Sequence, residues 1–243
     1  MSTIQRLVLW NIDHTLVDVG RVTREAYADA FRRVTGRPLV TLAPTAGRTE
    51  SEIIFETLAF NDVVTDDDHL PAFIAALRES FAARRKQVRS HGRVLPGVRE
   101  ALTAVGGLPG VVQSVLTGSI RPNAVLKLTE LGLDRYIDFE VGGYGSESYP
   151  KGALIGVARS RTAEKYVEKR FGLPIGQPAA VFIGDSPRDV QAARIARTKV
   201  IGVATGTANE AALRSAGADV VLPTLAHTQF VVRTIEELLA APA

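Results

Sequence analysis

The chain has 243 residues, 46% of them hydrophobic, enough for one large domain or a core with a smaller companion and unlike a disordered segment. Its 29 Lys and Arg against 26 Asp and Glu give a formal charge of +3 with both signs scattered, which argues against a nucleic-acid or anionic-membrane surface. The absence of cysteine excludes disulfides, thiolate metal sites and a cysteine nucleophile.

The opening MSTIQRLVLW has neither the basic segment, the long apolar run nor the small-residue cleavage site of a signal peptide. No apolar run approaches the roughly 18 residues of a membrane span. A soluble cytoplasmic protein is expected. Within that opening, RLVLW is a short, unalternated apolar run, the pattern of a strand buried on both faces of a parallel sheet, and it runs straight into Asn11 and Asp13. Residues 21–90 then show helical spacing and no strand pattern. Ala26, Ala30, Phe31 and Val34 share one face; Ile53, Ile54 and Leu58 a second; Phe73, Leu77 and Phe81 a third. The basic run Arg84, Arg85, Lys86 and Arg89 reads as a solvated helix face, and SHGRVLPGV, residues 90–98, as the returning linker.

Further strands are predicted at VVQSVL before Thr117, AAVFIG before Asp185, KVIGVAT near 200 and DVVLP near 220. Helical patterns lie between them at 121–133, 187–196 and 207–217. This alternation predicts an α/β fold with a doubly wound parallel sheet, residues 1–20 and 91–243, carrying an inserted helical domain at 21–90.

In such a sheet the ligand site lies beyond the carboxyl ends of the strands. The residues that follow the runs are Asn11 and Asp13, then Thr117, Gly118 and Ser119, then Asp185. Two carboxylates, an amide, hydroxyls and free backbone N–H groups suit a divalent cation and a phosphate.

At this point the chain resembles the haloacid dehalogenase-like hydrolase superfamily, mostly Mg²⁺-dependent phosphatases. WNIDHTL, residues 10–16, fills that family's first motif, D-x-D-G-T-L, with Asn11 in place of the first Asp. SVLTGS supplies the Thr of the second motif, Thr117; Lys151 in SESYPKGALIGVA is the candidate for the third; GDSPRD gives Asp185 and Asp189 for the fourth. The resemblance implies a Rossmann-like core with a helical cap at 21–90. It implies an aspartyl-phosphate route in which position 11 is the nucleophile and Asp13 the acid and base, its carbonyl reaching the metal. Thr117, Gly118 and Lys151 would hold the phosphoryl oxygens. Asn11, Asp13, Asp185 and Asp189 would make up the Mg²⁺ site, with Asp189 a ligand or an outer partner. GRT, residues 47–49, resembles a cap specificity loop, with Arg48 on the substrate.

Bland readings stand beside these roles. Asp189 completes an S-x-x-D capping box with Ser186, Thr117 caps the turn after its strand, and Lys151 is one of several basic residues with Arg159, Arg161 and Lys165. His14 stands where the motif has Gly and reads as a tolerated side chain whose backbone N–H does the work.

Asn11 is nearly isosteric with Asp, but its amide oxygen is a poor nucleophile, so the chain as written is expected to be nearly inactive, by roughly 10⁴-fold or more. Loss of the charge removes repulsion of a phosphate dianion, as in a trapping variant. With the other positions intact, an engineered replacement is the expectation, against a natural non-catalytic relative that binds a phosphorylated metabolite. Asp13 argues against a dehalogenase. A phosphonate hydrolase would need a cap lysine, and residues 21–90 hold only Lys86. A phosphomutase uses the same two-carboxylate motif and remains as the alternative. The expected partner is a small phosphorylated metabolite, with identity and oligomeric state left open.

Overall fold

The computed structural model describes residues 6–147, 150–166 and 177–240. Strand β1 (Arg6–Trp10) is followed by β2 (Val17–Asp18) and the helices α1 (Gly20–Thr35), α2 (Glu50–Phe60), α3 (His69–Ala83) and α4 (Arg85–His91). Then come β3 (Arg93–Val94), α5 (Val98–Gly106), β4 (Val111–Thr117), α6 (Arg121–Glu130), β5 (Gly143–Tyr144) and α7 (Ala153–Tyr166). The chain continues through β6 (Ala179–Gly184), α8 (Pro187–Ile195), β7 (Lys199–Val203), α9 (Glu210–Ala216), β8 (Val220–Leu222) and α10 (Thr228–Ala240).

Six strands form one parallel sheet in the order β5-β4-β1-β6-β7-β8, as the alternating pattern predicted. Its central strands are buried on both faces, which is why their sequences do not alternate. Val8 and Trp10 of β1 join one apolar cluster with Val115, Val181 and Ile183, while Leu7 and Leu9 join the other with Leu116 and Phe182. The chain runs outward from β1 through β4 and β5, then returns to β6 on the opposite side of β1. That reversal opens a crevice at the carboxyl ends of β1, β4 and β6, where the loops diverge.

Between β2 and β3 the described structure is helical, and all three predicted faces are buried or nearly so. Phe73 of α3 packs against Tyr27 at 6.0 Å and edge-on against Phe31 at 6.5 Å between ring centroids. The pairing of β2 with β3, Val17 with Val94 and Asp18 with Arg93, joins the two ends of this segment in an antiparallel ribbon. Two-residue strands carry no readable period, and neither this ribbon nor β5 was legible in the sequence.

The basic run is more than a solvated face. Arg85 and Arg89 pair with Glu130 of α6, whose side chain is 1% exposed, and hold its carboxyl below the usual range; Arg84 pairs with Asp29 of α1. Asp29 also accepts from Ser80 at 2.7 Å, and this bond, with Arg84 and Arg33, brings its carboxyl down to about 2. A depressed carboxyl contributes stability above its unfolded pKa near 4 and loses it as pH falls toward about 2. Asp29→Asn is therefore expected to lower Tm at neutral pH, with the gap from the parent closing between about pH 4 and pH 2 in a pH series of thermal melts.

Candidate active site

The strand register brings the first, second and fourth motif segments together. Trp10 faces Val115 on β4 and Ile183 on β6, so the next residue of each strand, or the one after, stands on the same rim. Asn11 is tied there by its backbone N–H, which donates to Ile183 O at 2.8 Å. A cavity of about 320 Å³ opens over this rim, bounded by Asn11, Asp13, Thr117, Lys151 and Asp185 below and by α1, α2 and the 45–48 loop above.

Asn11 is at the centre. Its Nδ2 donates to Asp13 O at 3.0 Å and to Asp185 Oδ1 at 2.8 Å, with a longer contact to Thr15 Oγ1 at 3.4 Å; its Oδ1 accepts from Lys151 Nζ at 3.3 Å. Thr15 also donates to Asp185 Oδ1 at 2.9 Å. Burial and the neighbouring Asp189 push the Asp185 carboxyl up to about 6, against the opposing bonds from Thr15 and Asn11.

A carbonyl and a carboxylate oxygen thus converge beside the end of β1 and bracket the Asn11 amide. These are hard donors of the kind Mg²⁺ takes, and Mg²⁺ fills its remaining positions with water and substrate oxygen. Among the described residues no group of three or more His, Asp or Glu side chains is positioned to hold a metal by itself. The residues present fit a cation of that kind, with Asp13 contributing its backbone oxygen and Asp185 its carboxylate.

Asp189 stands apart from that convergence. Its Oδ1 accepts from Lys151 Nζ at 2.6 Å, and its Oδ2 accepts from the Ser186 backbone and hydroxyl at 3.1 and 2.6 Å. The capping box read from S-x-x-D is present, so the Asp189 carboxylate holds Lys151 and starts α8. Lys151 is itself buried, just ahead of α7, between Asp189, Asn11 and the ring of Phe182.

Thr117 Oγ1 accepts from Ser119 N at 3.1 Å, the capping contact expected of it, at the floor of the cavity. The 45–49 loop packs directly on Gly118, where a Cβ would stand 1.8 Å from Arg48 O. Gly47 of the same loop has φ +68° and abuts Ser186 and Arg188, so the loop is wedged between the second and fourth motif segments. Arg48 lines the cavity and pairs with Glu56. His14 adopts φ 61°, which explains the Gly usual at this position. The expectation for its N–H is overturned: that group donates to Val17 O at 2.7 Å and closes the turn.

Four site residues escaped the sequence reading. Lys127 of α6, 2% exposed in its side chain, donates to both Asp13 oxygens at 2.7 and 2.9 Å and to Ser119 Oγ at 3.0 Å. Glu50, the first residue of α2, accepts from Ile120 N and donates its own N–H to Gly118 O at 2.8 Å. Burial pushes its carboxyl up to about 7, with Lys127 opposing. Thr23 and Tyr27 of α1 also line the cavity. Lys127 did carry a signal, because it interrupts the apolar stripe of Ala124, Leu128 and Leu131, where a lysine needs a buried partner.

A sequence model of the haloacid dehalogenase-like hydrolase family matches residues 8–194. The chain belongs to that family. Among curated relatives of this haloacid dehalogenase-like chain, the protein named "Probable phosphatase IndB" of Dickeya dadantii is 25% identical over 97% of both chains. A phosphoglycolate phosphatase of Pseudomonas syringae pv. syringae is 29% identical over 84% of this chain and 71% of its own length. The fold is that of a hydrolase from Pseudomonas syringae, with a TM-score of 0.67 and 17% identity over 97% of this chain and 100% of that one. A haloacid dehalogenase-like family protein from Streptococcus pneumoniae superposes with a TM-score of 0.62 and 18% identity, over 94% and 98%.

Proposed function

We propose that this fold is built to hydrolyse a small phosphorylated metabolite with Mg²⁺ through an aspartyl-phosphate, and that Asn11 at the nucleophile position leaves the chain nearly inactive. The observation that carries this is the Asn11 side chain itself, which touches Lys151 with its oxygen and spans Asp13 O and Asp185 Oδ1 with its nitrogen. An aspartate in the same place would have an oxygen toward the phosphoryl group and another toward the cation.

In this reading Asp185, Asp13 O and the position-11 side chain would hold Mg²⁺, which would supply positive charge to a phosphoryl oxygen. Thr117, Gly118 and Lys151 hold the other oxygens, and Asp189 is a positioning residue for Lys151. Asp13 gives a proton to the leaving oxygen and later takes one from water, while Lys127 fixes its carboxylate. Residues 21–90 act as a cap that excludes water, Arg48 lies on the substrate side, and the protein works in the cytoplasm; no described helix is long and apolar enough to cross a membrane. The phosphatase names of the curated relatives support the reaction class and a small substrate. A phosphomutase of the same family would use the same residues.

The test is the Asn11→Asp protein assayed on a panel of phosphomonoesters with Mg²⁺ and with EDTA. Phosphate release that EDTA abolishes supports the proposal; no gain over the parent on any ester sinks it. A second reading is favoured by the same amide, which satisfies Asp13 O and Asp185 without a cation. It makes the chain a non-catalytic binder of phosphorylated metabolites, and tight calorimetric binding with no gain of activity in Asn11→Asp would select it.

A further inference from the structure

The upper wall of the cavity has two polar groups that the proposed chemistry leaves unused. Thr23 and Tyr27 are one turn apart on α1, on the helix face that lines the cavity. Tyr27 is 1% exposed, and among the described residues its hydroxyl has no hydrogen-bond partner; Thr23 is half-buried, and its hydroxyl too is covered and unpartnered. A hydroxyl left buried and unpaired is costly, so two such groups on one wall of a cavity call for a common partner.

We infer that Tyr27 and Thr23 form a subsite for the leaving group of the phosphoester, reading a neutral hydroxyl on a compact polyol or sugar phosphate. This rests on the reading of the rim as a phosphoryl site. Thr117, Lys151 and Asp185 lie on the floor, so an ester with its phosphoryl group there extends its alcohol toward α1. At about 320 Å³ the cavity is at the small end of ligand pockets, which suits a compact ester and not a long-chain or polymeric one.

Charge on this wall selects the chemistry. Glu50 and Asp13 both act on the Tyr27 phenol and, after burial, help to raise its pKa, so the potential there is negative. The ammonium of Lys127 is already committed to Asp13. Phenol and alcohol hydroxyls can each donate and accept, and the Glu50 carboxylate can accept, so a neutral alcohol satisfies the wall where a second carboxylate would add repulsion. Arg24 also borders the cavity but is exposed, where its charge is screened, and the Arg48 guanidinium is paired with Glu56.

The experiment uses the chain as it stands, with binding read by calorimetry. The probes are inorganic phosphate, glycerol phosphate, a hexose phosphate and phosphoglycolate, with the parent, Tyr27→Phe and Thr23→Val. The parent is expected to bind a hydroxylated ester more tightly than phosphate or phosphoglycolate. Tyr27→Phe should cut the affinity ratio of hydroxylated ester to phosphate by about tenfold, with a smaller loss for Thr23→Val. Tyr27→Phe removes an unpaired hydroxyl without changing the ring, so the unliganded variant should melt no lower than the parent. An unchanged ratio, preferred binding of phosphoglycolate, or no binding of any ester would overturn the subsite. A preserved ratio effect in a protein whose Asn11→Asp variant releases no phosphate would sink the catalytic reading and leave the subsite standing.

Discussion

Replacing Asn11 by aspartate is expected to raise Mg²⁺-dependent phosphate release by about 10⁴-fold or more, the scale on which nucleophile knockouts act elsewhere. The side chains differ by one group, and a cationic partner for one oxygen of the acid is already in place. Lys151 Nζ lies 3.3 Å from Oδ1, and Thr15 is within reach. The same replacement changes the electrostatics. The amide nitrogen now donates to Asp13 O at 3.0 Å and Asp185 Oδ1 at 2.8 Å; a carboxylate oxygen there meets two acceptors and a second buried charge. The Asp185 carboxyl, already pushed up to about 6, would be pushed further.

The variant should therefore be less stable than the parent in EDTA and regain stability as Mg²⁺ is added, by the usual linkage between binding and folding. Thermal melts across a Mg²⁺ series test this separately from turnover. A melting point that does not respond to Mg²⁺ in Asn11→Asp would remove the cation from the proposal even if some activity appeared.

The sheet was legible because its strands are buried on both faces, which leaves unbroken apolar runs such as RLVLW and AAVFIG ending where the rim begins. The helical faces of 21–90 were legible for the corresponding reason, an apolar stripe at helical spacing. The geometry that decides side-chain roles was less so. S-x-x-D fits a capping box and a metal motif equally well, and only the direction of its oxygens, toward Lys151 and Ser186, shows that the capping box is made. Nothing local singles out Glu50, the first residue of α2. That its carboxylate meets Ile120 N, 70 positions along the chain, depends on how the helical segment docks, which no local pattern encodes. Tyr27 is similar, since its ring fits the apolar stripe of α1 and its hydroxyl becomes informative only when no described residue is found to satisfy it.

In the Asn11→Asp background, Lys151→Met is expected to lower kcat/KM by about 10²–10³-fold, the usual cost of removing one group that stabilises developing negative charge. The side chain is buried among Asp189, Asn11 and Phe182, so this substitution also leaves Asp189, 0% exposed, with an uncompensated charge. Breaking a buried pair from one side costs about 3–5 kcal/mol, and a fall in activity by itself would not separate lost chemistry from a loosened fold. Adding Asp189→Asn does separate them. It removes the stranded charge while keeping a side-chain oxygen for the Ser186 bonds that start α8, so the double variant should recover most of the lost stability. Its activity should stay low, because no cation is restored beside position 11. Recovery of kcat/KM to within about tenfold of the Asn11→Asp protein would mean that Lys151 serves the fold through Asp189. Stability regained without activity would assign the ammonium group to the phosphoryl oxygens, with Asp189 as the residue that aims it.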